Sequence, residues 1–178
     1  MYSTVINFWF EELEPKQWFQ KSDQLDLSIC RRFGELHTQA IAGELHRWRE
    51  TALGSLAELI VLDQFSRNIY RDKPESFAYD AIALVLAQCA VAKQYDAQLP
   101  TDQRVFLYMP YMHSESRAIH IEAVKLFESL GNESNLEYEY KHKAIIDKFG
   151  RYPHRNEILS RTSTAEERAF LKTPGSSF

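Results

Sequence analysis

The sequence predicts an all-α fold. Apolar residues recur at helical spacing along most of the chain, no segment sustains a two-residue alternation, and no Asn-Gly or Asp-Gly pair offers a hairpin turn. Leu25, Ile29, Phe33, Leu36 and Ala40 step by four, four, three and four along one stripe, and Gly43 follows as a C-terminal stop. Leu56, Leu59, Ile60 and Val61 open a second helix that reaches toward Phe65. A third, Ala81 to Ala92, is apolar almost all round and is expected to be buried. Pro100 and Thr101 announce a fourth with Val105, Phe106 and Tyr108 inside it; Pro110, with no N–H and a ring that clashes with the preceding turn, is expected to end it. The next runs from about Ser116 to Leu130, with Ile119, Ala123, Leu126 and Leu130 inward and Gly131 closing it. Another covers Leu136 to Phe149, closed by Gly150. Thr164 and Glu167 fit the reciprocal capping box, followed by Ala169, Phe170 and Leu171.

A length of 178 residues suits one domain with a real core and is short for two. No low-complexity linker divides the chain, so a single domain over 1–178 is expected, with 172–178, "KTPGSSF", as a frayed tail. No internal repeat of 20–50 residues is visible, although helical hairpins can stack without sequence identity. The formal charge of −4 argues against nucleic-acid and anionic-membrane partners. No stretch approaches the length of a bilayer span, and "MYSTVINFWFEELEP" lacks the basic start of a signal peptide. Cys30 and Cys89 sit in helical pattern and are expected to be reduced core residues of a cytoplasmic protein.

Three stretches carry an unusual polar load. In "LDQFSRNIYR" the pairs Asp63/Arg67 and Gln64/Asn68 lie four apart among the apolar Leu62, Phe65 and Ile69. They read either as a local ion pair or as the wall of a polar pocket. In "YMPYMHSE" the turn after Pro110 delivers His113, Ser114 and Glu115. Ser114 or Ser116 can cap the next helix and Glu115 favours its N-terminus, whereas the imidazole of His113 is an acid–base group. In "FGRYPHRN", Gly150 and Pro153 hold Arg151, His154, Arg155 and Asn156 on a turn rather than a helix face. From Lys148 to Lys172 six Lys or Arg stand against three acids, a local excess of +3. Those arginines read as clamps on acidic helix surfaces and helix-end carbonyls, or as bidentate ligands of a carboxylate or phosphate.

Nucleotide-binding glycine motifs, a nucleophile elbow and H-x-x-x-H or H-E-x-x-H pairs are missing from the sequence, so no cofactor and no metal is expected. "HRWRE" (His46 to Glu50) reads as a solvated helix-end turn rather than a nucleic-acid surface.

Through "VINFWF", "WFQKSD", "LAELIVLDQFSRNIYR", "SFAYDAIAL", "FLYMPYMHSE" and "FGRYPHRNEILSR", the chain resembles, nearly end to end, the bacterial domain-of-unknown-function family 924. The resemblance implies a tetratricopeptide-repeat-like array of antiparallel helix pairs, a right-handed superhelix of about seven to nine helices; it implies no reaction or ligand. The family's motif positions fall on Asp63, Gln64, Arg67 and Asn68, on His113, Ser114 and Glu115, and on Gly150, Arg151, Pro153, His154, Arg155 and Asn156. Where the family carries glutamine this chain has His120, which places His120 outside the resemblance.

Three functional readings stay open. The first is a binding protein holding an anionic small molecule or peptide carboxylate through Asp63, Arg67, Asn68, His113, Arg151, His154, Arg155 and Asn156; it requires Arg67, Arg151 and Arg155 to converge. The second is a hydrolase or transferase with His113 as general base and Glu115 or Asp63 orienting it. The third is a protein-interaction scaffold in which the motifs only lock helices together. Oligomeric state is open.

Overall fold

The computed structural model describes residues 2–176, and among these every regular element is helical. Helix α1 (Tyr2–Asn7) runs into a wide π turn, Phe8–Glu12, and a 3-10 turn, Pro15–Trp18. Helix α2 (Asp23–Ile41) starts where the Ser22 hydroxyl accepts from the Leu25 amide. The expected stripe holds: Leu25, Ile29, Phe33 and Ala40 are buried, and Gly43 takes a left-handed φ of 74° just past the end.

The second expected helix begins earlier than Leu56. Helix α3 (Ala52–Leu59) is capped by Thr51 and passes without break through a π turn, Ile60–Phe65, into α4 (Ser66–Ile69). Gly54 is required at its start. A Cβ there would sit well inside contact distance of the Trp48 carbonyl, which belongs to the 3-10 turn His46–Glu50.

Helix α5 (Asp80–Ala92) follows a 3-10 turn, Pro74–Ser76, and departs from expectation. It is not buried all round. Ala83, Ala87 and Ala90 face inward, while Ile82 and Val85 are 44 % and 55 % exposed. The small alanines let the helix back lie close to α3 and to α6, and the larger side chains are left outside. Cys89, on that outer side, and Cys30, on α2, are exposed rather than core residues, because each falls off the inward stripe of its helix. The helical stretch Pro74–Ala92 is, by length and composition, apolar enough to cross a membrane, which the sequence reading did not anticipate.

Helix α6 (Thr101–Met112) contains Pro110 instead of ending at it. Val105 to Met112 are all buried, and their burial outweighs the single backbone bond that proline forgoes. Helix α7 (Arg117–Ser129) and α8 (Glu133–Phe149) match expectation. Gly150 closes α8 with φ 69°, and α9 (Ala165–Phe170) carries the full Thr164/Glu167 capping box. Consecutive helices pack on one another from α5 through α8, and α2 packs on α4. Part of the expected tail, 177 and 178, lies outside the described residues; Ser176 is buried and donates to the Leu171 carbonyl.

The core is rich in rings. Phe8, Trp9, Phe33, Phe65 and Phe106 are all buried, with Phe33 and Phe65 4.9 Å apart between centroids. This places the π turn of the central helix, and the residues just after it, beside the end of α6.

The Gly54→Ala variant is expected to lose about 2 kcal/mol or more, because the added methyl meets a backbone carbonyl rather than a movable side chain. Urea unfolding followed by circular dichroism measures this; an unchanged midpoint would mean that the 3-10 turn at Trp48 yields freely.

Candidate functional site

The end of α6 leaves carbonyls without intrahelical donors, and three consecutive ones are met by side chains from elsewhere. The Tyr152 hydroxyl donates to the Met112 carbonyl (2.5 Å), Arg155 Nη2 to that of His113 (3.1 Å) and His120 Nε2 to that of Ser114 (2.9 Å). The next residue is also held, because Glu115 accepts from the Tyr152 amide (2.7 Å) and from both terminal nitrogens of Arg161 (2.6 and 3.0 Å). The turn "FGRYPHRN" therefore grips "MHSE" residue by residue.

So held, the His113 ring reaches back to the central helix. Its Nδ1 lies 2.7 Å from Asp63 Oδ1, and Asp63 is 1 % exposed within the π turn. Arg67 Nη2 donates to the same oxygen (3.1 Å), and Gln64 Nε2 to the other (2.5 Å). Burial works against the charge on Asp63, but the His113 and Arg67 charges and the hydrogen bonds from His113 and Gln64 outweigh it, so its carboxyl titrates far below the usual range. An ionised Asp63 accepts only, so Nδ1 of His113 carries a proton and the neutral ring presents its lone pair at Nε2. That nitrogen has no hydrogen-bond partner among the described residues, and the side chain keeps 17 % exposure.

Arg67 also bonds Asp80 Oδ1 (3.0 Å) and the Ser76 carbonyl, and Arg155 Nη1 bonds Asp80 Oδ2 (3.1 Å). Arg155 lies between two ring faces, 4.6 Å from the Phe77 centroid and 4.6 Å from that of Tyr152. Burial, and then repulsion from Arg67, lower its pKa, and its Nε has no partner among the described residues. Arg67 and Arg155 thus converge on one carboxylate.

Arg151 does not join them. Its guanidinium grips Glu167 (2.6 and 2.8 Å) and the Thr162 carbonyl. The bond from Arg151 holds Glu167 down to about 2. Asn156, buried, spans Ser163 and Arg161, and Asn68 donates to Asp26, which also holds Arg71. Gln64 and Asn68, four apart, point to different neighbours because the π turn inserts an extra step between them. The His154 ring lies 5.4 Å from that of Tyr152.

Below this layer lies a second pair. His120 and Glu139 are both fully buried, with Nδ1 2.7 Å from Oε1. The Ser114 carbonyl opposite Nε2 accepts only, so Nε2 is the N–H, and the Nδ1 contact must contain a further proton. Burial raises the Glu139 carboxyl above its usual range more than His120 lowers it, and Oε2 has no partner among the described residues, as suits a carboxylic acid better than a carboxylate.

Sequence reasoning missed Asp80, Tyr152, Arg161 and the His120–Glu139 pair. A signal existed for Asp80, the lone acid opening an apolar helix, and for Tyr152, the aromatic wedged between Arg151 and Pro153. Neither larger hollow, of about 340 Å³ beside Gln17 and Lys21 or about 170 Å³ beside Glu58 and Cys89, is lined by His113, Arg67 or Arg155. Among the described residues no group of His, Cys, Asp or Glu has the arrangement of a metal site.

The family model for "Bacterial protein of unknown function (DUF924)" matches residues 5–175. A solved structure, of protein of unknown function ATU0120 from Agrobacterium tumefaciens, is similar over 96 % of each chain, with 36 % identity and a TM-score of 0.92. No curated protein matches.

Burial lowers the pKa of His142 to about 3 and that of His154 to about 4, Arg155 adding to the latter. Unfolded, both protonate near ~6.5. The unfolded chain therefore binds more protons below that value, so their contribution is complete above it and falls with pH toward 4. At pH 5 the loss is expected to reach about 2 kcal/mol for each ring at most. Urea midpoints at pH 7.5 and 5 measure it, and His154→Gln is expected to flatten the dependence; a slope unchanged in that variant would remove His154 from the account.

Proposed function

Since the chain belongs to the bacterial DUF924 family, whose description assigns no function, we propose one from the site's chemistry: a hydrolase or transferase in which His113 is the general base and Asp63 orients it. The observation that carries this reading is the 2.7 Å contact from His113 Nδ1 to a buried, ionised Asp63, with Nε2 left to act. A base needs its tautomer fixed and its lone pair outward, and a buried carboxylate behind the ring does both. In this reading Nε2 takes a proton from water or a substrate hydroxyl, and Asp63 stabilises the resulting imidazolium. Glu115, committed to Arg161 and the Tyr152 amide, positions the loop rather than the ring.

Binding of an anionic small molecule or peptide carboxylate without turnover is the second reading. Arg67 and Arg155 are balanced by Asp63 and Asp80, so these four groups sum to zero, and a protonated His113 makes the cluster cationic by one. Anion affinity at this place would therefore follow the protonation of one ring.

The test uses p-nitrophenyl esters and p-nitrophenyl phosphate, with melting curves in acetate and phosphate run alongside. His113→Gln is expected to lower turnover about 10²- to 10⁴-fold while leaving the melting temperature nearly unchanged; Asp63→Asn is expected to lower it as well. Turnover equal in wild type and His113→Gln, or no turnover at all, would sink the enzymatic reading. Anion-dependent stabilisation lost in His113→Gln would then favour the second.

A further inference from the structure

The most apolar helix of the chain turns its apolar side chains outward. Across Pro74–Ala92 only 22 % of the most apolar window is buried. The inward residues are Ala83, Ala87 and Ala90. Facing out are Ala81, Ile82, Val85, Gln88, Cys89 and Ala92, all exposed and none charged. A solvent-facing helix surface normally carries charges, and a continuous uncharged strip of this length marks an interaction surface.

What fits this strip follows from its own pattern. At about 100° per residue, Val85 lies at the centre of the exposed arc. Ile82 and Cys89 fall to one side of it, and Ala81 and Gln88 to the other. Each pair is nearly equidistant from Val85 along the axis, one residue toward each end. Glu75 and Lys93, both exposed, share one angular position near the two ends, the acid at the start and the cation at the finish. An antiparallel copy related by a two-fold axis through Val85 therefore sets Ile82 against Cys89, Ala81 against Gln88, and Glu75 against Lys93. Unlike charges meet at both ends, and the alanines let the two backbones approach. The hollow of about 170 Å³ that Leu86, Cys89, Ala90 and Lys93 help to line adjoins the strip, where a second copy would cover it.

We propose that the outer face of α5 is the two-fold interface of a homodimer in which the two α5 helices pack antiparallel. The Pro74–Ala92 stretch has 19 residues and so spans roughly 28 Å at 1.5 Å per residue. One such face falls short of the ~800 Å² per partner of a standard interface. The dimer is accordingly expected in the micromolar range.

Sedimentation velocity from about 5 to 200 µM is expected to show the mass rising from 20.8 kDa toward twice that value as concentration increases. Val85→Arg, at a position already 55 % exposed, is expected to give monomer with unchanged helicity. Glu75→Lys and Lys93→Glu are each expected to weaken association about tenfold, and together to restore it, since the charges only exchange places. In a Cys30→Ser background, Ile82→Cys is expected to form an intermolecular disulfide with Cys89 on mild oxidation. The two positions lie about 10 Å apart on one helix and cannot pair within a chain. A monomer throughout the concentration range overturns the proposal. So does association that survives Val85→Arg, or that yields no Ile82→Cys cross-link, and so does vesicle binding by a chain that remains monomeric in solution.

Discussion

Three carbonyl oxygens at the end of α6 set the terms for the surrounding structure. A helix that ends inside a protein must find donors for its last carbonyls or lose their hydrogen bonding to burial. Here the donors are a tyrosine hydroxyl, a guanidinium and an imidazole, on Met112, His113 and Ser114 in turn. None of the three comes from α6. Tyr152 and Arg155 belong to the turn after α8, and His120 to α7, so capping one helix fastens the C-terminal third of the chain to the middle. The fixed position of the His113 ring is a by-product of that capping.

Charge is handled with the same economy. Arg67 and Arg155 share Asp80, Arg151 takes Glu167, Arg161 takes Glu115, and Arg71 takes Asp26. Bidentate pairing suits arginine where elements meet, and breaking such a buried pair is far more damaging than its net contribution suggests. The cationic excess of the segment from Lys148 onward is therefore largely spent on protein carboxylates. What is left over for chemistry is the outward nitrogen of His113, backed by Asp63.

Most helices were legible in the sequence because their inward stripes are large and regular, as with Leu25 to Ala40 and Ile119 to Phe127. The expectation failed where apolarity and burial part company. On α5 the inward residues are alanines, so a reading by hydrophobicity alone mistakes the outer face for core. Pro110 failed differently, since a local rule about proline gives way when the turns on both sides of it are buried. The site was half legible. Asp63, Arg67, His113 and Arg155 stand out as polar groups in apolar or turn-forming company, and the structure brings them together through Asp80 and the His113 carbonyl. Arg151 looked equivalent in sequence and is not, because a difference of four residues across a proline-fixed turn sends it to Glu167 instead. Asp80 and the His120–Glu139 pair were hidden because their meaning lies wholly in what they face across the fold.

The π turn at Ile60–Phe65 makes the central helix two helices of different phase joined by a surplus residue. Upstream of it the phase is set by Leu56 and Leu59 against the core; downstream, Arg67, Asn68 and Arg71 must meet Asp80 and Asp26. Removing any one residue from the turn would relax it to an ordinary helix and rotate everything beyond by about 100°. Both sets of partners could not then be satisfied at once. A one-codon deletion in this stretch is thus a change of angle carried along the whole downstream segment, and the length of the turn is itself part of the inherited information.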